Sequence, residues 1–64
     1  MSTQRLFDTL TDYRERVVLP ALGEYACDYD TEAIAASMTV HLGRFLVERP
    51  GLDFWEVVRL HELP

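Results

Sequence analysis

A chain of 64 residues with a formal charge of −5 reads as one small acidic domain. Eleven acids against six arginines argue against nonspecific nucleic-acid binding, which draws its affinity from cations on phosphates, and against anionic membranes for the same reason. So short a chain buries only about 60% of its unfolded surface, and a single cysteine with two distant histidines offers neither an internal disulfide nor a metal, leaving helix packing or a homodimer as support.

Leu6, Leu10, Tyr13 and Val17 recur at spacings of four, three and four, which marks one face of a helix, and Phe7 and Val18 widen the stripe. Ser2 or Thr3 can cap it by accepting from a free N–H of the first turn. The spacing predicts a first helix from about residue 3 to about residue 19. Pro20 then removes the N–H that would bond to the Arg16 carbonyl and presses its ring against that carbonyl. The helix therefore kinks here, or it stops and restarts with Pro20 in a new first turn. Ala21, Leu22, Tyr25 and Ala26 carry an apolar face on to about Cys27, with Gly23 weakening that stretch by about 1 kcal/mol relative to Ala.

Asp30 reads as the next N-cap, and Tyr29 before it with Ile34 after it forms a hydrophobic staple. Ile34, Met38, Leu42 and Phe45 or Leu46 follow at helical spacing, with His41 beside them. Gly43 can end a helix as a C′ residue, but the apolar face resumes in register beyond it, so this helix is predicted to run to about Glu48. Arg49, Pro50 and Gly51 stop it. Asp53-Phe54-Trp55-Glu56 then sets out a capping box, with Asp53 in the cap position, Glu56 able to reach back, and Leu52 and Val57 as the staple. The last helix is predicted over about residues 54–62. No useful alternating strand pattern stands out. The expected fold is all-α, a single small domain over residues 1–64, built as a bundle of three helices with the first kinked or split at Pro20.

The chemistry of sites is mostly missing. Asp28, Asp30 and Glu32 alternate like the opening of an EF-hand loop, but Ala33 stands where the loop needs Gly and Thr39 where it needs Glu. His41, near the apolar face of the third segment, reads as a half-buried, hydrogen-bonded imidazole. His61 reads as a favourable charge in the last turn of the last helix. Cys27 reads as a small buried hydrophobe, and its acidic neighbours disfavour a thiolate. No nucleophile, base and orienting group can be named together, so no enzyme, catalytic residue, metal or cofactor is expected.

Binding is the better expectation. From Val17 to Gly43 the chain holds four acids, Glu24, Asp28, Asp30 and Glu32, and no Lys or Arg. Such a lopsided field steers a basic partner and repels nucleic acid. Trp55 lies off the strongest apolar line of its helix. It either folds over the core or serves as an exposed anchor, since Trp, Tyr and Arg dominate binding hot spots. Tyr13, Tyr25 and Tyr29 share that choice. Trp55, Tyr25, Tyr29, Glu24, Asp28 and Glu32 are therefore the candidate partner-binding residues.

The run Asp30-Thr31-Glu32-Ala33-Ile34-Ala35, followed downstream by Asp53-Phe54-Trp55-Glu56-Val57-Val58 and His61, resembles small uncharacterised proteins of actinobacteria and their phages. Absence of Lys and Asn agrees with the high-GC coding such a source implies. The resemblance carries no activity with it. What it implies is an accessory protein that works by binding one host or viral protein. The leading expectation is thus a noncatalytic, cytoplasmic interaction module, a homodimer that modulates another protein. One alternative is an acidic inhibitor that occupies a nucleic-acid-binding groove. Another is a structural subunit of a homo-oligomer. The N-terminal residues lack the apolar stretch of a signal peptide, and no apolar run is long enough to span a bilayer.

Overall fold

A computed structural model describes residues 6–64. It is mixed rather than all-α. A helical run, a 3₁₀ segment and two further helices are joined by a two-stranded antiparallel hairpin between the last two helices.

The first helix starts later than its apolar spacing suggests. Ser2 and Thr3 lie outside the described residues, and the cap is Thr9, whose Oγ1 accepts from the Asp12 N–H at 3.1 Å. Helix α1 covers Leu10–Tyr13 and continues into a π-helical turn, Arg14–Val18, and then helix α2, Leu19–Leu22. The π turn is how the chain accommodates Pro20. With the proline N–H missing and its ring crowding the carbonyl four residues back, the preceding turn widens. The Leu19 N–H accordingly reaches the Arg14 carbonyl, five residues back. The expected interruption at Pro20 is instead a wide turn ahead of it, and the run breaks at Gly23. That residue has φ +57° and ψ −129°, a region open to glycine and strained for any side chain. The 3₁₀ segment Gly23–Asp28 follows.

The buried face moves as a consequence. Tyr13, Val18 and Leu22 point into the core, at a spacing of five across the wide turn and four after it, whereas Leu6 and Leu10 remain 48% and 42% exposed. Phe7 is fully buried as extended chain. Its N–H donates to the Leu46 carbonyl at 2.9 Å and its carbonyl accepts from the Leu46 N–H at 2.8 Å. The Phe7 ring meets Tyr13 edge to face, centroids 4.8 Å apart, and the Arg16 guanidinium lies 5.2 Å from the Phe7 centroid.

Helix α3, Thr31–Met38, begins where the sequence indicates, with the Asp30 carboxylate accepting from the Ala33 N–H at 3.2 Å. It buries Thr31, Ile34, Ala35 and Met38. It does not continue to Glu48. Thr39 turns extended (φ −125°, ψ 159°), and its hydroxyl donates to the Ala35 carbonyl at 2.8 Å, satisfying an acceptor of the last turn. Strand β1, Thr39–Leu42, then pairs with β2, Phe45–Glu48, in the register Thr39 with Glu48, Val40 with Val47, His41 with Leu46 and Leu42 with Phe45. Thr39, Val40, Phe45 and Val47 suit a pleated surface. Gly43, at φ +65° in the first place of a two-residue loop, supplies the conformation a tight hairpin needs.

Helix α4, Phe54–Leu60, is capped by Asp53, whose carboxylate accepts from the Trp55 N–H at 3.1 Å. Past it the chain pairs back on the middle of the molecule. The Asp30 N–H donates to the His61 carbonyl, the Leu63 N–H donates to the Asp28 carbonyl, both at 2.9 Å, and Tyr29 bridges Glu62. Val57 and Val58 of α4 close the core against α3, with Leu46 beneath Phe7 on the hairpin side.

Candidate functional site

The six residues singled out from the sequence do not converge on one surface. They divide among three places.

Trp55 sits one residue into α4 and is 55% exposed, so it is not a core residue. Its neighbour Phe54 packs against the core, and the Trp55 ring stands edge-on to it, centroids 5.1 Å apart and planes 82° apart. A half-buried ring thus backs the exposed one and limits its freedom. Arg59, also exposed, follows four residues on and shares that side of the helix. On the adjoining side Leu52 and Leu60, 39% and 75% exposed, flank a shallow groove of about 230 Å³ that Gly51, Asp53, Glu56 and Val57 complete.

Glu24, Tyr25 and Asp28 lie together on the 3₁₀ segment, which buries none of its residues. Tyr25 is 61% exposed. Tyr29 is different: it is half-buried, packs against the core and acts as the staple its position before Asp30 suggests. The bridge from Tyr29 to Glu62 brings one more acid beside this segment. Nothing local in the sequence signals that Glu62 belongs here, because the pairing joins distant parts of the chain. The segment meets α4 at its C-terminal end, whereas Trp55 stands at its N-terminal end, about 9 Å along the axis at 1.5 Å per residue.

Glu32 belongs elsewhere again. It lines a groove of about 230 Å³ between α1 and α3, together with Leu10, Thr11, Arg14 and Ala35. Arg14 is held in place by its Nε, which donates to the Thr31 Oγ1 at 2.7 Å. Glu32 therefore shares its surroundings with a cation and not with Glu24 and Asp28.

Two further expectations are corrected. Cys27 is exposed on the 3₁₀ segment rather than buried, with its thiol 3.9 Å from the Glu24 carbonyl. His41 is exposed on β1 rather than half-buried on a helix, since the helix that would have carried it is a hairpin. His61, ending α4, is the half-buried imidazole, its Nε2 3.1 Å from the Ser37 hydroxyl on α3. That bond ties the end of α4 to α3.

What sequence reasoning missed is the outward face of the hairpin. Val40 and Leu42 are 47% and 56% exposed on β1; beside them on β2 Phe45 is half-buried and Val47 is buried at 4%. Comparison with protein families, with curated proteins and with solved structures finds no match. Among the described residues, no helix is long and apolar enough to cross a membrane.

Proposed function

We propose that this chain is a noncatalytic protein-interaction module, working in the cytoplasm as a homodimer, that binds and modulates another protein in the manner of a phage or mobile-element accessory protein. The observation that carries the reading is Trp55, a large aromatic left more than half exposed at the start of α4 and backed by Phe54. A rigid aromatic with an arginine one turn away suits a binding hot spot, because it offers much contact area and has little freedom to lose. Glu24 and Asp28, exposed at the far end of α4, supply the field that orients a basic partner. Glu32, beside Arg14, contributes less to that field.

The test is Trp55→Ala, read by capture of a host protein and by thermal melting together. Binding weaker by more than about 1 kcal/mol with an unchanged melt supports the anchor role. A loss of fold stability of about 3–5 kcal/mol would make Trp55 a core residue and overturn the reading. Capture equal to that of the parent chain would overturn it as well.

A further inference from the structure

We propose that two copies of this chain associate through the outer edge of β1, pairing antiparallel about a two-fold axis at His41. The inference rests on the self-association proposed above and gives it a place, away from Trp55.

Leu46 exchanges both of its main-chain bonds with Phe7, so its N–H and carbonyl point away from β1. Directly opposite residues in an antiparallel ladder alternate between pairs that exchange two bonds and pairs that exchange none. His41 faces Leu46 in register, so theirs is a pair without bonds, and the His41 N–H and carbonyl point outward. Among the described residues nothing pairs with that edge: the sheet consists of β1 and β2, extended by Phe7 on the β2 side only.

An open edge of this kind is ordinarily protected by a lysine, a proline, a bulge or an inward charge. Here the edge strand reads Thr39-Val40-His41-Leu42, and it has none of these. Val40 and Leu42 point to the same outward face. Antiparallel pairing about His41 joins His41 to the second copy's His41 by two main-chain bonds. It also sets Val40 opposite the second copy's Leu42, and Leu42 opposite the second copy's Val40. The exposed apolar side chains Val40 and Leu42 of each copy then meet across the junction, within a sheet of four strands. The edge is complementary to itself, the condition a two-fold interface must meet.

Self-complementarity makes a second copy the occupant, and charge fixes where it can approach. Each copy carries −5, so two copies repel wherever their acids meet. Between Glu32 and Glu48 the chain has no acid, and its single formal charge there is Arg44, in the hairpin loop. The hairpin is the place where two such acidic molecules can approach. Three residues of each strand overlap, a short contact roughly 10 Å long at 3.3 Å per residue. The dimer is therefore a weak one that depends on concentration.

Sedimentation velocity from the low micromolar range to about 1 mM tests this with the full chain. The parent chain is expected to pass from a 7.4 kDa monomer to twice that mass across this range. His41→Pro removes the outward N–H while leaving the β1–β2 bonds intact. Leu42→Glu places an acid at that apolar junction and serves as the second variant should the proline disturb the hairpin. Each should weaken the dimer at least about tenfold while circular dichroism stays that of the parent chain. Ala36→Glu, which adds the same charge to an exposed position of α3, should leave dimerisation unchanged. A parent chain that remains monomeric throughout overturns the proposal and leaves the edge to a strand of some other protein. Dimerisation undiminished in a folded His41→Pro or Leu42→Glu chain places the contact elsewhere and overturns it too. Neither outcome bears on Trp55, whose readout is partner capture.

Discussion

Helix α3 and the hairpin that follows it have similar apolar content but use it in different ways. In α3 the large side chains turn inward, with Ile34 fully buried and Met38 at 3% exposure. In the hairpin β2 buries Leu46 and Val47, at 3% and 4% exposure, while Val40 and Leu42 of β1 stay about half exposed. Helix α3 spends its large apolar side chains on the domain, whereas β1 leaves two of its own largely outside it. The contrast shows that the amount of apolar sequence does not determine how much core a segment supplies. What determines it is which neighbours the backbone places around each side chain.

The comparison can be broken first at its strongest point. Ile34→Ala should cost about 2–5 kcal/mol, because a fully buried side chain leaves a cavity the core closes only in part. Urea unfolding followed by circular dichroism measures it, and a cost below about 1 kcal/mol would remove α3 as the main support of the core. Gly43→Ala should come next, at about 1–2 kcal/mol. Its φ of +65° is strained for any side chain even though a Cβ there meets nothing within 4 Å. Faster amide exchange in β1 and β2, with α3 unaffected, would confine the loss to the hairpin. Val40→Ala should change the stability of the monomer least, by no more than about 0.5 kcal/mol in dilute solution. A larger loss would mean that the outer face already has a cover within one copy.

The helix caps were legible because capping is local chemistry. Asp30 and Asp53 each sit just before a helix and accept from its free N–H groups, as the sequence indicates. Ile34 is buried in the core cluster and Tyr29 packs against that same cluster. The hairpin was not legible because its residues satisfy both periods at once. Ile34, Met38, Leu42 and Phe45 keep helical spacing across the boundary at Thr39. Both faces of β2 are apolar, so the alternation that marks a strand disappears in Phe45-Leu46-Val47. The one available signal was Gly43 followed by Arg44, a glycine in the first place of a two-residue turn, and it reads equally as the end of a helix. The displaced start of α1 had a different cause. Phe7 is drawn into extended chain by Leu46, far along the sequence, and no local pattern reports that pairing.

The candidate surface was legible to a similar degree. Exposure of Glu24 and Asp28 follows from their charge, whereas the choice between core and surface at Tyr25, on a stretch that reads as an apolar face, and at Trp55 waits on the tertiary packing. Neither the distance between Trp55 and the acids nor the arrival of Glu62 beside Tyr29 can be deduced without the tertiary pairings.

Those two distant pairings also govern how the chain holds together. Phe7 joins Leu46, and Tyr29 joins Glu62, so each closure starts or ends inside the other and neither is nested. A chain threaded in this interlocking order cannot be divided at any bond into two pieces that both keep their own closure. A nick between Glu48 and Asp53 would therefore leave α4 held by non-covalent contacts alone, the Tyr29–Glu62 bridge and the Ser37–His61 bond among them.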